Sequence, residues 1–126
     1  MKKGFFTGFL SAMLLCVPFA EAGHLKAEKV YQRNWCEKAG GVAEFRLSDS
    51  TRVDCVTKQY AVEVDFAPKW AEAVGQALYY STMTEKRPAV LLILEKEADK
   101  RYLDRLERIS GNLGITVWTI TPEDLE

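Results

Sequence analysis

The sequence predicts an α/β (α+β) domain in which a mixed central sheet is flanked by helices, in the order αβββαβαβ. Three observations carry this. Between Val42 and Phe66 polar and apolar residues alternate with the two-residue period of strands, interrupted twice by short turn chemistry. Ala89 to Leu94 is an unbroken apolar run, the pattern of a strand buried on both faces and therefore central or parallel. Trp70 to Ser81 and Asp99 to Leu113 repeat with helical period on either side of that run.

The first 22 residues stand apart from this pattern. Lys2 and Lys3 make a basic start, Phe5 to Ala20 is apolar apart from small polar breaks and Pro18, and Ala20-Glu21-Ala22 is a small-x-small cleavage site. This is the arrangement of a secretory signal peptide. An uncleaved anchor is the alternative, but the run is short for a membrane span and ends in a cleavage site. Cys16 follows Leu15, not the small residue that lipid attachment requires. Residues 1–22 are thus expected to be a signal peptide, residues 23–126 a single domain, and the destination the periplasm or the outside of a bacterial cell.

Along that domain, Lys26 to Lys38 reads as a helix that Gly40-Gly41 terminates. Val42 to Leu47 is a first strand and Ser48-Asp49-Ser50-Thr51 a turn. Arg52 to Thr57 is a second strand and Tyr60 to Phe66 a third, joined at Lys58-Gln59 into an antiparallel meander. Pro68 suits the first turn of the next helix, whose face is Trp70, Ala73, Val74, Ala77, Leu78 and Ser81. After the apolar strand, the helix from Asp99 turns Tyr102, Leu106, Ile109 and Leu113 inward, Gly114 stops it, and Ile115 to Ile120 is a last strand.

Without Lys2, Lys3 and Glu21 the domain has 15 basic and 17 acidic residues, a net charge of −2. That weighs against tight non-specific nucleic-acid binding, which rests on a basic surface. Two cysteines remain, Cys36 and Cys55. In an oxidising compartment an even count reads as a disulfide, contributing about 3 kcal/mol in the chain-entropy picture; the alternative is two buried thiols that never meet.

The chemistry narrows by exclusion. His24, the sole histidine, lies beside the cleavage site and is expected in a loose terminus. A Ser-His-Asp or Cys-His system then has no base, and neither a His/Cys zinc cluster nor a glycine-rich phosphate loop is present. What remains is carboxylate. Asp54, Glu63 and Asp65 fall within twelve positions inside apolar strands, where an acid is costly unless partnered. Alternation puts Glu63 and Asp65 on one face of their strand, and Asp54 can sit across from them while Cys55 points away. A divalent ion, Mg²⁺ or Mn²⁺, would relieve the repulsion and supply hydrolytic chemistry. Equally, Asp54 could pair with Arg52, Lys58 or Lys69, or the acids could face solvent.

In these residues the chain resembles the PD-(D/E)XK (restriction-endonuclease-like) nuclease superfamily. The αβββαβ order matches, Asp54 in Val53-Asp54-Cys55 matches the family's first acid, Glu63 its second, and Gln76 and Tyr80 a Gln and Tyr one turn apart on the following helix. The run from Glu63 to Tyr80 is also similar to small bacterial proteins of unassigned function. The resemblance implies a Mg²⁺- or Mn²⁺-dependent nuclease acting on DNA. Asp54, Glu63 and Asp65 would be metal ligands, Lys69 catalytic, and Arg52, Glu72, Gln76 and Tyr80 would line the site. Arg46, Lys58, Lys86 and Arg87 are further candidates for phosphate contact. The sequence departs from the family where Asp65 stands in place of its lysine. Lys69 could supply the ammonium from the helix start, Asp65 could serve as an extra ligand, or catalysis is lost and the fold persists as an interaction domain of the cell envelope.

Overall fold

The computed structural model describes Gly4 and residues 23–126. The expected signal segment thus lies, apart from Gly4, outside the described residues. Helix α1 spans Glu28–Lys38, and strands β1, β2 and β3 span Val42–Arg46, Arg52–Val56 and Tyr60–Phe66. A 3-10 turn at Ala67–Lys69 leads into α2, Trp70–Thr84. Strand β4 is Arg87–Ile93, helix α3 Lys100–Leu113 and strand β5 Thr116–Ile120. No described helix is long and apolar enough to cross a membrane.

The five strands lie across the sheet in chain order. β1, β2 and β3 form the expected antiparallel meander, and β3, β4 and β5 run parallel. β4 is therefore an interior strand, covered on both faces, which explains its continuous apolar sequence: Val90 and Leu92 face α2 and α3, while Ala89, Leu91 and Ile93 face α1. On the α1 side Tyr31 and Cys36 pack on Val62, Val64, Phe66 and Leu91. Fully burying each large side chain there stabilises the fold by roughly 1.5–3 kcal/mol. On the other side α2 lies close to the sheet because its inward residues, Ala73 and Ala77, are small.

Cys36 and Cys55 are bonded, with Cα atoms 5.8 Å apart, and tie α1 to β2. The chain reaches β1 through Gly40, in the left-handed region at φ 67°, and Gly41, whose N–H donates to the Cys36 carbonyl at 2.9 Å. Gly41 lies against the bridge. A Cβ there would meet Cys55 Sγ at 2.5 Å and Cys36 Sγ at 2.9 Å. Gly41→Ala is therefore expected to lower unfolding stability in urea by about 1–3 kcal/mol through overpacking.

Two expectations are corrected. Leu113 is 41% exposed. Leu103 instead joins Tyr102 and Leu106 against the core, and Ser110 is buried. The chain turns left-handed at Gly114, and Ile115 fills the apolar slot that Leu113 was expected to occupy. His24 is not loose. Its ring stacks on Phe66 with centroids 3.5 Å apart, and its Nδ1 lies 2.6 Å from Glu95 Oε1. Stacking area and a charge-assisted contact together hold a segment that sequence position alone would leave free.

Candidate functional site

In the β2–β3 ladder Cys55 sits opposite Val62 and Val56 opposite Ala61. Continued, this register would set Asp54 opposite Glu63 and Val53 opposite Val64, but the pairing stops short of them. The Val64 N–H donates to Asp54 Oδ2 at 2.8 Å, and the Asp54 carbonyl accepts from Gln32 Nε2 of α1 at 2.8 Å. Side chains thus take the bonds that the neighbouring backbone would have taken, and the strands part. The acids gather at that gap. Asp54 is half-buried, and Glu63 and Asp65 are each 5% exposed.

Desolvation pushes Glu63 up to about 11, with the charge of Asp54 and its hydrogen bond next, then the charge of Asp65. Burial raises Asp54 as well, while the Val64 N–H and the Glu63 hydrogen bond favour its ionised form. The proton shared by this pair therefore resides on Glu63 and is donated to Asp54. Asp65 is raised to about 6, by burial above all, against the charge of Lys69 and the Phe66 N–H, which donates to its Oδ1 at 3.0 Å. Lys69, exposed at the entry to α2, thus favours the ionised form of Asp65.

Tyr80 is 9% exposed, and its hydroxyl is pushed up to about 12 by burial and then by the charges of Glu63 and Asp54, so it faces the acid pair. Tyr79 turns outward and donates to a carboxylate oxygen of Asp49 in the β1–β2 turn. Glu72 and Gln76 lie exposed on the same helix; the charge of Glu72 reaches Asp65, whereas among the described residues no hydrogen bond ties Gln76 to the acids. Arg52 is exposed two residues before Asp54 and pairs across the strands with Arg46. Lys58, Lys86 and Arg87 collect at the opposite end of β3, where Lys86 Nζ donates to the Lys58 carbonyl and Arg87 sits opposite Tyr60.

The structure adds residues that sequence reasoning left out of the site. Gln32 is 1% exposed on a strongly polar helix, and nothing local marks it as the group that caps Asp54. Glu44 sits at φ 54°; its charge pushes Asp54 up, and Lys29 Nζ lies 3.8 Å from its Oε1. Glu44 carried the same signal as Asp54, an acid in the middle of an alternating strand.

The donor set can be tested against a metal. Among the described residues no group of three His, Cys, Asp or Glu side chains is arranged to hold an ion. Asp54 and Glu63 form a pair, not a cage. A pair is what Mg²⁺ commonly takes when it keeps several waters and shares phosphate oxygens. Glu63 Oε2 is buried with no hydrogen-bond partner, an orphan acceptor that a cation would satisfy. The pair fits Mg²⁺ or Mn²⁺ in that sense.

Comparison with known proteins adds little to this geometry. A stretch of 72 residues is 32% identical to a protein of Acanthamoeba polyphaga mimivirus described as KilA-N domain-containing. The match covers 57% of this chain but only 20% of that protein. No protein-family profile matches the chain, and no solved structure matches it.

Proposed function

We propose that the chain is an exported, metal-dependent nuclease that hydrolyses phosphodiester bonds of DNA at the gap between β2 and β3. The observation that carries the reading is the Asp54–Glu63 pair, desolvated together, with one Glu63 oxygen left without a partner. Asp54 and Glu63 would hold Mg²⁺ or Mn²⁺. When bound, the ion neutralises phosphate charge and makes water more acidic. Around it the chain's own groups divide the work. Glu63 gives up its proton as the site loads. Lys69 offers an ammonium toward the phosphate, and Asp65, with its proton lost near neutral pH, orients water. Tyr80, packed with Val53, Val56 and Ala61, covers the acid pair on its apolar side. Arg46 and Arg52 approach the nucleic-acid backbone from the end of the sheet nearest the acids.

A second reading is favoured by one specific observation: Asp65 occupies the place of the family's lysine. On that reading the pair stays protonated and holds no metal, and the fold serves as an interaction domain of the cell envelope. Incubating the mature chain with linear and plasmid DNA and Mg²⁺ or Mn²⁺ separates the two. The nuclease reading expects cleavage that falls about 100-fold or more in Asp54→Asn and in Glu63→Gln, at least the loss seen when a mere supporting residue of a metal site is removed. It expects a loss of similar order in Lys69→Met, about the size of removing one donor that stabilises transition-state charge. Absence of cleavage by the wild-type chain with either ion sinks it.

A further inference from the structure

Residues 24–26 are fastened to one carboxylate. Glu95 Oε1 lies 2.6 Å from His24 Nδ1, and Glu95 Oε2 accepts from the Leu25 N–H at 2.9 Å, from the more distant Lys26 N–H and from the Tyr31 hydroxyl at 2.6 Å. These contacts hold Glu95 in its ionised form against the opposing effect of burial. Together with the His24–Phe66 stack they fix where the chain emerges at Gly23.

Gly23 lines a pocket of about 170 Å³ shared with His24, Phe66, Glu95 and Asp99. Asp99 is 4% exposed. Its Oδ2 accepts from the Glu95 N–H at 2.9 Å and from the Lys96 N–H at 3.2 Å, capping the turn that leads into α3. Its Oδ1 is buried and has no hydrogen-bond partner. A buried, unpaired carboxylate oxygen calls for a donor, and a positively charged one most of all. Every oxygen of Glu95 is already engaged, so the unpartnered acceptor among the residues lining this pocket is on Asp99.

We infer that removal of the first 22 residues completes this pocket: the new α-ammonium group of Gly23 docks on Asp99 as a buried ion pair. Hydrolysis of the Ala22–Gly23 peptide bond adds one water, leaving a carboxylate on Ala22 and an amine on Gly23 that takes up a proton. The uncut chain presents one neutral N–H at that position; the cut chain presents a charged group with three donors. The ion pair would fasten the terminus to the segment after β4. Through His24 and Phe66 it would brace the end of β3 beside Asp65. It stands independently of any nuclease activity.

The test begins with the full chain exported from a bacterial host, whose mature mass should place the terminus at Gly23. Chains released from a cleavable tag with termini at Gly23 or at Ala22 are then melted side by side. The Ala22 terminus keeps an ammonium but moves it one residue outward. The Gly23 chain should melt about 4 °C or more above it. In Asp99→Asn the difference should vanish, because the amide keeps a carbonyl to cap Glu95 and Lys96 but puts an NH₂ where the ammonium would bind. If that variant does not fold, a crystal structure of the Gly23 chain decides, with its nitrogen at roughly 3 Å from Asp99 Oδ1. A mature terminus elsewhere, equal melting of the two chains, a difference that survives Asp99→Asn, or a terminal nitrogen turned away from Asp99 overturns the inference.

Discussion

In metal-free solution at pH 8, Glu63→Gln is expected to be more stable than the wild-type chain by a few kcal/mol. Folded Glu63 is raised to about 11 from an ordinary carboxylate value, with desolvation the main cause. Above the unfolded value the folded chain therefore holds a proton that the unfolded chain has released. The wild-type chain gains this stability fully only in acid and loses it progressively as pH rises from about 4.5 toward 11. Glutamine is the neutral form made permanent: its NH₂ replaces the proton donated to Asp54, and it has nothing to ionise in the unfolded chain. Asp65, raised to about 6, adds a smaller loss between its unfolded value and about pH 6, and that part persists in the variant. Urea unfolding of the metal-free chains from pH 5 to pH 9 checks the slope. With Mg²⁺ or Mn²⁺ at pH 8 the order is expected to narrow or reverse, because only the wild-type chain keeps both carboxylates.

Loss of the disulfide is expected to lower stability by about 3 kcal/mol, corresponding to a fall in melting temperature of roughly 10–20 °C. The bond spans a sequence separation of 19, so reducing it frees a sizeable loop in the unfolded chain. Both cysteines are buried, at 1% and 0% exposed, beneath Gly41. The effect should reach the site. Cys55 neighbours Asp54, and α1, which the bond holds down, carries the Gln32 amide that caps the Asp54 carbonyl. Melting of Cys36→Ala/Cys55→Ala against the oxidised chain measures the first effect, and its metal titration the second. In the wild-type chain reduction should reproduce the loss; in the double variant it should change nothing.

The order of elements was legible because each signal is local. Alternation marks β1 to β3, the apolar run marks β4, and Gly40 and Gly114 stop their helices in left-handed conformations. The acids were legible because charge inside an apolar strand breaks the pattern; Tyr80 was singled out with Gln76 through the resemblance alone, and the structure buries Tyr80 while leaving Gln76 exposed. The parting of β2 and β3 was not legible. It depends on an Asp54 side chain taking the Val64 N–H and a Gln32 side chain arriving from another element. The His24 stack on Phe66 and its contact with Glu95, 71 residues away, are likewise made by the fold alone. Leu113 misled because its helical spacing was right but the helix ends there, and Ile115 takes the buried place.

The central claim is that the Asp54–Glu63 pair is a divalent-metal site, and calorimetric titration of metal-free residues 23–126 with Mn²⁺ at pH 8 tests it most directly. The account predicts one ion per chain, a heat that varies with the buffer because Glu63 releases its proton, and loss of binding in both Asp54→Asn and Glu63→Gln. No binding to the wild-type chain, or binding that both variants retain, would contradict it.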